Sequence, residues 1–187
     1  MRLLRGKKII IENDIKSVVP ENFQVALDIG TGDGRFIYKK AKENPDTFFI
    51  GIDSAAENMF EYSSKIMKKP SRGGLSNAAY IVAGAEELPD ELSGIASCIY
   101  INLPWGSLLE GIVKGDSLIL DNITKIAAAP KSSLNMCFSY SILLEAGEIG
   151  RRELPELSEE YVRAELEPLY LKKGISFTTI SSITNEN

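Results

Sequence analysis

Histidine is absent from this chain of 187 residues, and it holds only two cysteines and one tryptophan. Without histidine there is no Ser-His or Cys-His nucleophile pair and most zinc ligand sets disappear, so any chemistry has to run without an imidazole. Cys98 and Cys137 lie in apolar runs, where buried reduced thiols are expected, and no metal site is suggested. Long apolar runs are missing too. No stretch approaches the roughly 18 residues of a membrane helix, and the basic start MRLLRGKK leads into no apolar segment with a cleavage site. The expectation is a cytoplasmic protein with no membrane contact. Positive charge is also short: a net charge of −5 and a pI near 5.0 argue against nucleic-acid binding on the bulk figures alone.

What is present is the composition of one α/β domain, with 44% hydrophobic and 25% charged residues. Apolar, β-branched runs at 24–29, 47–52, 78–83, 96–103, 133–140 and 175–183 alternate with helix-like stretches at 35–44, 55–69, 106–128 and 158–173. Parallel neighbours need crossover connections, which are usually helical, so the alternation predicts a doubly wound, mostly parallel sheet. Residues 1–22 are expected to form a peripheral hairpin or arm, and 23–187 the core of a single domain.

Charge is unevenly distributed. KIMKKPSR (65–72) carries four basic residues and no acidic one, whereas 145–167 is strongly acidic apart from Arg151, Arg152 and Arg163. The first is a candidate phosphate-facing surface, with a solvated helix end as the plainer reading.

The most informative stretch is VALDIGTGDGRFIYKKA (25–41), an apolar strand, then Gly30, Gly32 and Gly34, then a helix. Glycines there allow a tight turn and close approach to a ligand. A second strand ends in Asp53, where a carboxylate would accept hydrogen bonds from ribose hydroxyls. Asp28 before the loop suits a cationic ligand better than a diphosphate; the plainer reading makes both aspartates helix caps. A third strand ends in GAEELP (84–89). Trp105 stands between Pro104 and Gly106, in turn punctuation rather than an apolar run, which favours contact with another molecule over filling the core.

The G-x-G-x-G spacing after Asp28 resembles motif I of class I S-adenosylmethionine-dependent methyltransferases. With FIGIDSAAENMFEYSSKIMKKPSRGGLSN, AEELPDEL and PWGSLLEGIVK, the chain from residue 1 to about 175 resembles the aminoglycoside-resistance methyltransferases that modify N1 of adenine 1408 in 16S ribosomal RNA. The resemblance implies a Rossmann-like fold, S-adenosylmethionine as cofactor, and action on the small ribosomal subunit as a monomer. It places the cofactor against Asp28, Gly30, Thr31, Gly32, Asp53, Ala85, Glu86, Leu103 and Ser107, and the RNA against Lys65, Lys68, Lys69, Arg72 and Arg152. Trp105 becomes the residue that stacks on the flipped target base. A general base is unnecessary, because adenine N1 already carries an in-plane lone pair.

Family members carry a seventh strand, a second tryptophan and further basic residues toward the C-terminus, which are not found here. The resemblance thus implies a core incomplete at that end, and impaired activity. Three rivals stand beside it. A transfer RNA guanine-N7 methyltransferase would suit ALDIGTGDGRFIYKKAKENPDTFFIGID, a catalytically silent binding module would suit the short terminus, and a nicotinamide-dependent dehydrogenase would need another glycine spacing. Residues 151–161 are expected to be mobile.

Overall fold

The computed structural model describes residues 1–128, 132–140 and 146–181. The chain opens with an antiparallel hairpin, β1 (Arg2–Arg5) and β2 (Lys8–Ile11), closed across Gly6 at φ +65°. Five parallel strands follow: β3 (Gln24–Ile29), β4 (Thr47–Asp53), β5 (Ala78–Val82), β6 (Ala96–Asn102) and β7 (Ser133–Cys137). All join one sheet in the order β2-β1-β5-β4-β3-β6-β7. The hairpin is therefore part of the sheet: β1 pairs antiparallel with β5, burying Leu3 and Leu4.

The central strands β3, β4 and β5 bury apolar residues on both faces, as a sheet flanked by helices requires, while β2 at the edge is exposed throughout. On one face α1 (Arg35–Glu43) and α2 (Phe60–Ile66) pack Ile37, Ala41 and neighbouring Met59 over Ala26, Phe49, Tyr80 and Val82. On the other, α3 (Gly106–Lys114) and α4 (Ser117–Ile126) lay Leu108, Ile112, Leu120 and Ile123 on Leu27, Ile29, Ile50 and Ile99. The helix expected over 106–128 divides because Gly115 turns left-handed at φ +67° and Asp116 caps α4 through Ile119 N–H.

After α5 (Ala146–Arg152), the stretch expected to be mobile lies on α3, where buried Leu154 packs with Leu109 and Val113. The last helical stretch runs α6 (Glu159–Tyr161), a π turn (Val162–Leu166) and α7 (Glu167–Leu171). Pro168 has no N–H for the ladder, which accounts for the irregular turn before it.

One strand expectation is corrected. Residues 175–181 form no strand, and 182 and 183 lie outside the described residues. Gly174 reverses the chain at φ +78° and Ile175 N–H bonds back to Tyr170. The segment is held by packing, with Phe177 edge-on to Tyr170 at 5.1 Å, rather than by a ladder. A β-branched pattern without a neighbouring strand does not satisfy its backbone as a strand.

The sheet order reverses direction at β3, between β4 on one side and β6 on the other. That switch point opens a crevice at the carboxyl ends of the strands, where open α/β sheets bind ligands.

Candidate active site

The turn leaving β3 is built by three left-handed glycines, Gly30 (φ +74°), Gly32 (φ +59°) and Gly34 (φ +78°). Gly30 and Thr31 each donate to the carbonyl of Ile52 at 2.9 Å, which sews the loop to β4. A side chain at Gly30 would meet Leu108 Cδ2 at 2.6 Å, while Gly32 faces open space. At Gly34 a Cβ would stand 2.4 Å from Tyr80 Cε1, and the buried Tyr80 hydroxyl donates to the Gly34 carbonyl at 2.8 Å. Gly34→Ala combines a left-handed backbone with overpacking and is expected to destabilise the fold by about 2–4 kcal/mol, read by denaturant unfolding. Unchanged stability would show that Tyr80 yields freely.

Asp28, the penultimate residue of β3, is 2% exposed. Burial pushes its carboxyl up to about 6; Thr31 and Asn102 pull against that, and the charge of Asp53 adds to it. Asn102 donates to it at 3.2 Å. The Thr31 hydroxyl is fully buried and makes no hydrogen bond of good geometry among the described residues. A buried carboxylate with so few donors, beside an orphaned hydroxyl, is an incomplete polar cluster of the kind a cationic, hydrogen-bonding ligand completes.

Asp53 closes the far side of the crevice. Its Oδ2 accepts Gly32 N–H and its Oδ1 accepts Ala55 N–H, both at 2.9 Å. It thus ties the glycine loop to the end of β4 and keeps one further lone pair on each oxygen. Beyond the end of β5, buried Ala85 and exposed Glu86 form a short turn pinned by Asn122 of α4, which donates to both carbonyls at 2.9 and 2.8 Å.

Past β6 the chain makes the Pro-Trp-Gly turn. Leu103 sits at φ +46°, rare for a branched residue, with its N–H held by the Cys137 carbonyl at 2.7 Å. Leu103 is 59% and Trp105 61% exposed, while Pro104 is buried beneath them. Trp105 is thus no core residue. Ser107 is exposed on the first turn of α3, a helix that begins without a side-chain cap. The parallel register brings Asp28, the glycine loop, Asp53, Ala85 and the 103–107 turn to the same carboxyl edge of the sheet, with Gly30 against Leu108 and Asp28 against Asn102.

The basic residues divide. Arg152, at the end of α5, pairs with Glu110 at 2.8 Å, and its Nη2 would lie 3.9 Å from a side chain at Gly106, beside Trp105. Lys65, in the last turn of α2, and Lys68, Lys69 and Arg72, in the segment that leads from α2 to the start of β5, lie at the opposite end of the strands from the glycine loop. Lys65 stacks its ammonium 4.4 Å from the Tyr38 ring and 5.3 Å from Tyr62, and the other three are exposed. Among the described residues no group of three or more acidic, cysteine or histidine side chains gathers as a metal site, and no helix is long and apolar enough to cross a membrane. Sequence reasoning missed Asn102, Asn122 and Tyr80. The first could have been seen as a polar residue closing an otherwise apolar strand; the other two act only through distant backbone.

Comparison with known proteins agrees with this architecture. An Escherichia coli 16S rRNA (adenine(1408)-N(1))-methyltransferase is 40% identical over 189 aligned residues, covering 100% of this chain and 86% of the relative. The crystal structure of the aminoglycoside resistance methyltransferase NpmB1 superposes with a TM-score of 0.89 at 35% identity, covering 97% of this chain and 88% of the other. A mutant 16S rRNA (adenine(1408)-N(1))-methyltransferase from Catenulisporales acidiphilia, solved with cosubstrate SAM, gives a TM-score of 0.85 at 28% identity over 95% of this chain and 80% of that one. Likeness to the tRNA (guanine-N(7)-)-methyltransferase of Bacillus cytotoxicus is 31% over 93 residues, 48% of this chain. Residues 2–187 match the sequence profile of the 16S rRNA (adenine(1408)-N(1))-methyltransferases, and the chain belongs to that family.

Proposed function

We propose that this protein transfers the methyl group of S-adenosylmethionine to N1 of adenine 1408 of 16S rRNA in the assembled small ribosomal subunit, working as a monomer in the cytoplasm. The observation that carries the reading is a buried, under-bonded Asp28 with a Thr31 hydroxyl that lacks a good hydrogen bond, at the end of β3, next to the end of β6 from which the exposed Trp105 follows. The donor set fits the cofactor: Asp28 would hold its ammonium group, Thr31 would gain a hydrogen-bond partner, and Gly30 and Gly32 would let the loop backbone approach. The lone pairs of Asp53 not used by Gly32 and Ala55 would accept ribose hydroxyls. Ala85 and Glu86 would hold the adenine ring, and Leu103 and Ser107 the end that carries the methyl group.

When bound, S-adenosylmethionine supplies an electrophilic methyl on a sulfonium, so adenine N1 gains a carbon bond as the sulfur keeps the electron pair. The added positive charge then leaves as a proton from the exocyclic amine. No residue of the chain has to remove a proton first, which agrees with the absence of histidine. The protein's work is positioning. Trp105 stacks on the base once it has left the helix, and an aromatic face is worth about 1–3 kcal/mol per stacked base. Arg152, held by Glu110, borders that position, and Lys65, Lys68, Lys69 and Arg72 meet phosphates.

Incubation of isolated small subunits with tritiated S-adenosylmethionine is expected to label 16S rRNA and to stop primer extension at adenine 1408. Label in transfer RNA instead, or cofactor binding by calorimetry without any transfer, would overturn the reading.

A further inference from the structure

One basic stretch of the sequence plays no part in the site described so far: Arg5-Gly6-Lys7-Lys8, three cations in four residues. It forms the turn of the β1–β2 hairpin, and the fold presses that turn onto α2. Gly6 N–H donates to Ser63 Oγ at 3.0 Å, and the same hydroxyl donates to the Leu4 carbonyl at 3.0 Å. Ser63 is fully buried, so one side chain clamps hairpin and helix together. A Cβ at Gly6 would lie 3.6 Å from Ser64 Oγ and 3.7 Å from Met67 Sδ. Met67 is the residue just before Lys68, and so the turn stands against the root of the lysine-rich segment.

Arg5, Lys7 and Lys8 are exposed, as are Lys68, Lys69 and Arg72. Together with Lys65 they are seven of the chain's 21 lysines and arginines, and among the described residues none of the seven makes an ion pair. In a molecule with net charge −5 this is a local inversion of sign. Cations outside any close ion pair, on two elements locked by a buried hydroxyl, are placed to release counterions from a phosphate backbone. The register makes the surface stiff, since Arg5 faces Lys8 across the ladder and β1 is fixed to β5.

We infer that the hairpin turn Arg5-Gly6-Lys7-Lys8 is a docking element for the RNA phosphate backbone, continuous with the Lys65–Arg72 surface. This rests on the proposed action on 16S rRNA and adds a contact region to it. The turn lies at the end of β1 that faces the start of β5, away from the crevice, so it grips RNA remote from the target base and fixes orientation rather than taking part in the reaction.

Binding of small subunits by the Lys7→Gln/Lys8→Gln variant tests this, measured at several salt concentrations. Affinity is expected to fall about tenfold at low salt, with the salt slope smaller by about 1 for each lysine that meets a phosphate. The Lys7→Arg/Lys8→Arg variant should restore both, and neither variant should alter calorimetric cofactor binding or the melting temperature. Wild-type affinity and slope in the glutamine variant would overturn the inference. Lys68→Gln/Lys69→Gln serves as reference: if it weakens binding while the hairpin variant does not, the hairpin contact alone fails. A wild-type protein that neither binds nor methylates small subunits removes the proposed function itself.

Discussion

Trp105→Ala is expected to lower methylation of small subunits by about 10- to 100-fold while leaving S-adenosylmethionine affinity within about twofold of wild type. An indole 61% exposed between a buried proline and a left-handed glycine adds little to the core, so its removal costs little stability. Its worth lies in holding a base that has paid to leave its stack, and that worth is about 1–3 kcal/mol. Single-turnover methylation and calorimetry separate the two effects, and Trp105→Phe should retain most of the rate. Equal rates for wild type and Trp105→Ala would return the residue to a loop-closing role.

Asp28→Asn is expected to abolish useful cofactor binding and at the same time to stabilise the cofactor-free protein. Breaking a buried charge pair costs about 3–5 kcal/mol, so affinity for S-adenosylmethionine should fall by about 100-fold or more. The stability gain follows from the direction of the carboxyl's displacement. Burial raises it from 3.8 to about 6, so between those values the folded protein holds a proton that the unfolded chain has released. Stability at Asp28 is therefore greatest below about 4, falls as pH rises to about 6, and stays reduced above it, by up to about 3 kcal/mol. An asparagine carries no charge to desolvate, still accepts from Asn102 and can donate to Thr31. Its melting temperature near neutral pH should exceed that of the wild type by about 3–10 °C. The same titration predicts that wild-type cofactor affinity is flat above pH about 6 and weakens below it, because a cation binds only the ionised carboxyl. A destabilised Asp28→Asn protein, or binding that strengthens in acid, would contradict this account of the cluster.

How much of this was legible in the sequence depended on how local the cause was. The five parallel strands and the glycine loop could be read because apolar period and turn chemistry are written within a few residues. Trp105 could be placed in a turn for the same reason, from its proline and glycine neighbours. The run at 175–183 misled, since β-branched residues state a preference but not whether an edge is there to pair with. In residues 151–161 the acidic composition hides Leu154, whose packing with Leu109 and Val113 of α3 is a long-range contact that no local pattern marks. The Ser63 clamp and the Asn122 hinge join residues 57 and 37 apart, and no local pattern announces them. Arg152 was found among acids, but its ion pair with Glu110 needed the fold.

The central claim is that this crevice directs a methyl group to N1 of a single adenine. Mass spectrometry of the 16S rRNA fragment containing adenine 1408, after incubation of unmodified small subunits with the protein and S-adenosylmethionine, tests it most directly. The account predicts one added methyl, released on digestion as 1-methyladenosine, and about 10- to 100-fold less of it when Trp105→Ala is used under the same limiting conditions. A methyl on another position or another nucleotide, or an unmodified fragment with cofactor binding intact, would contradict it.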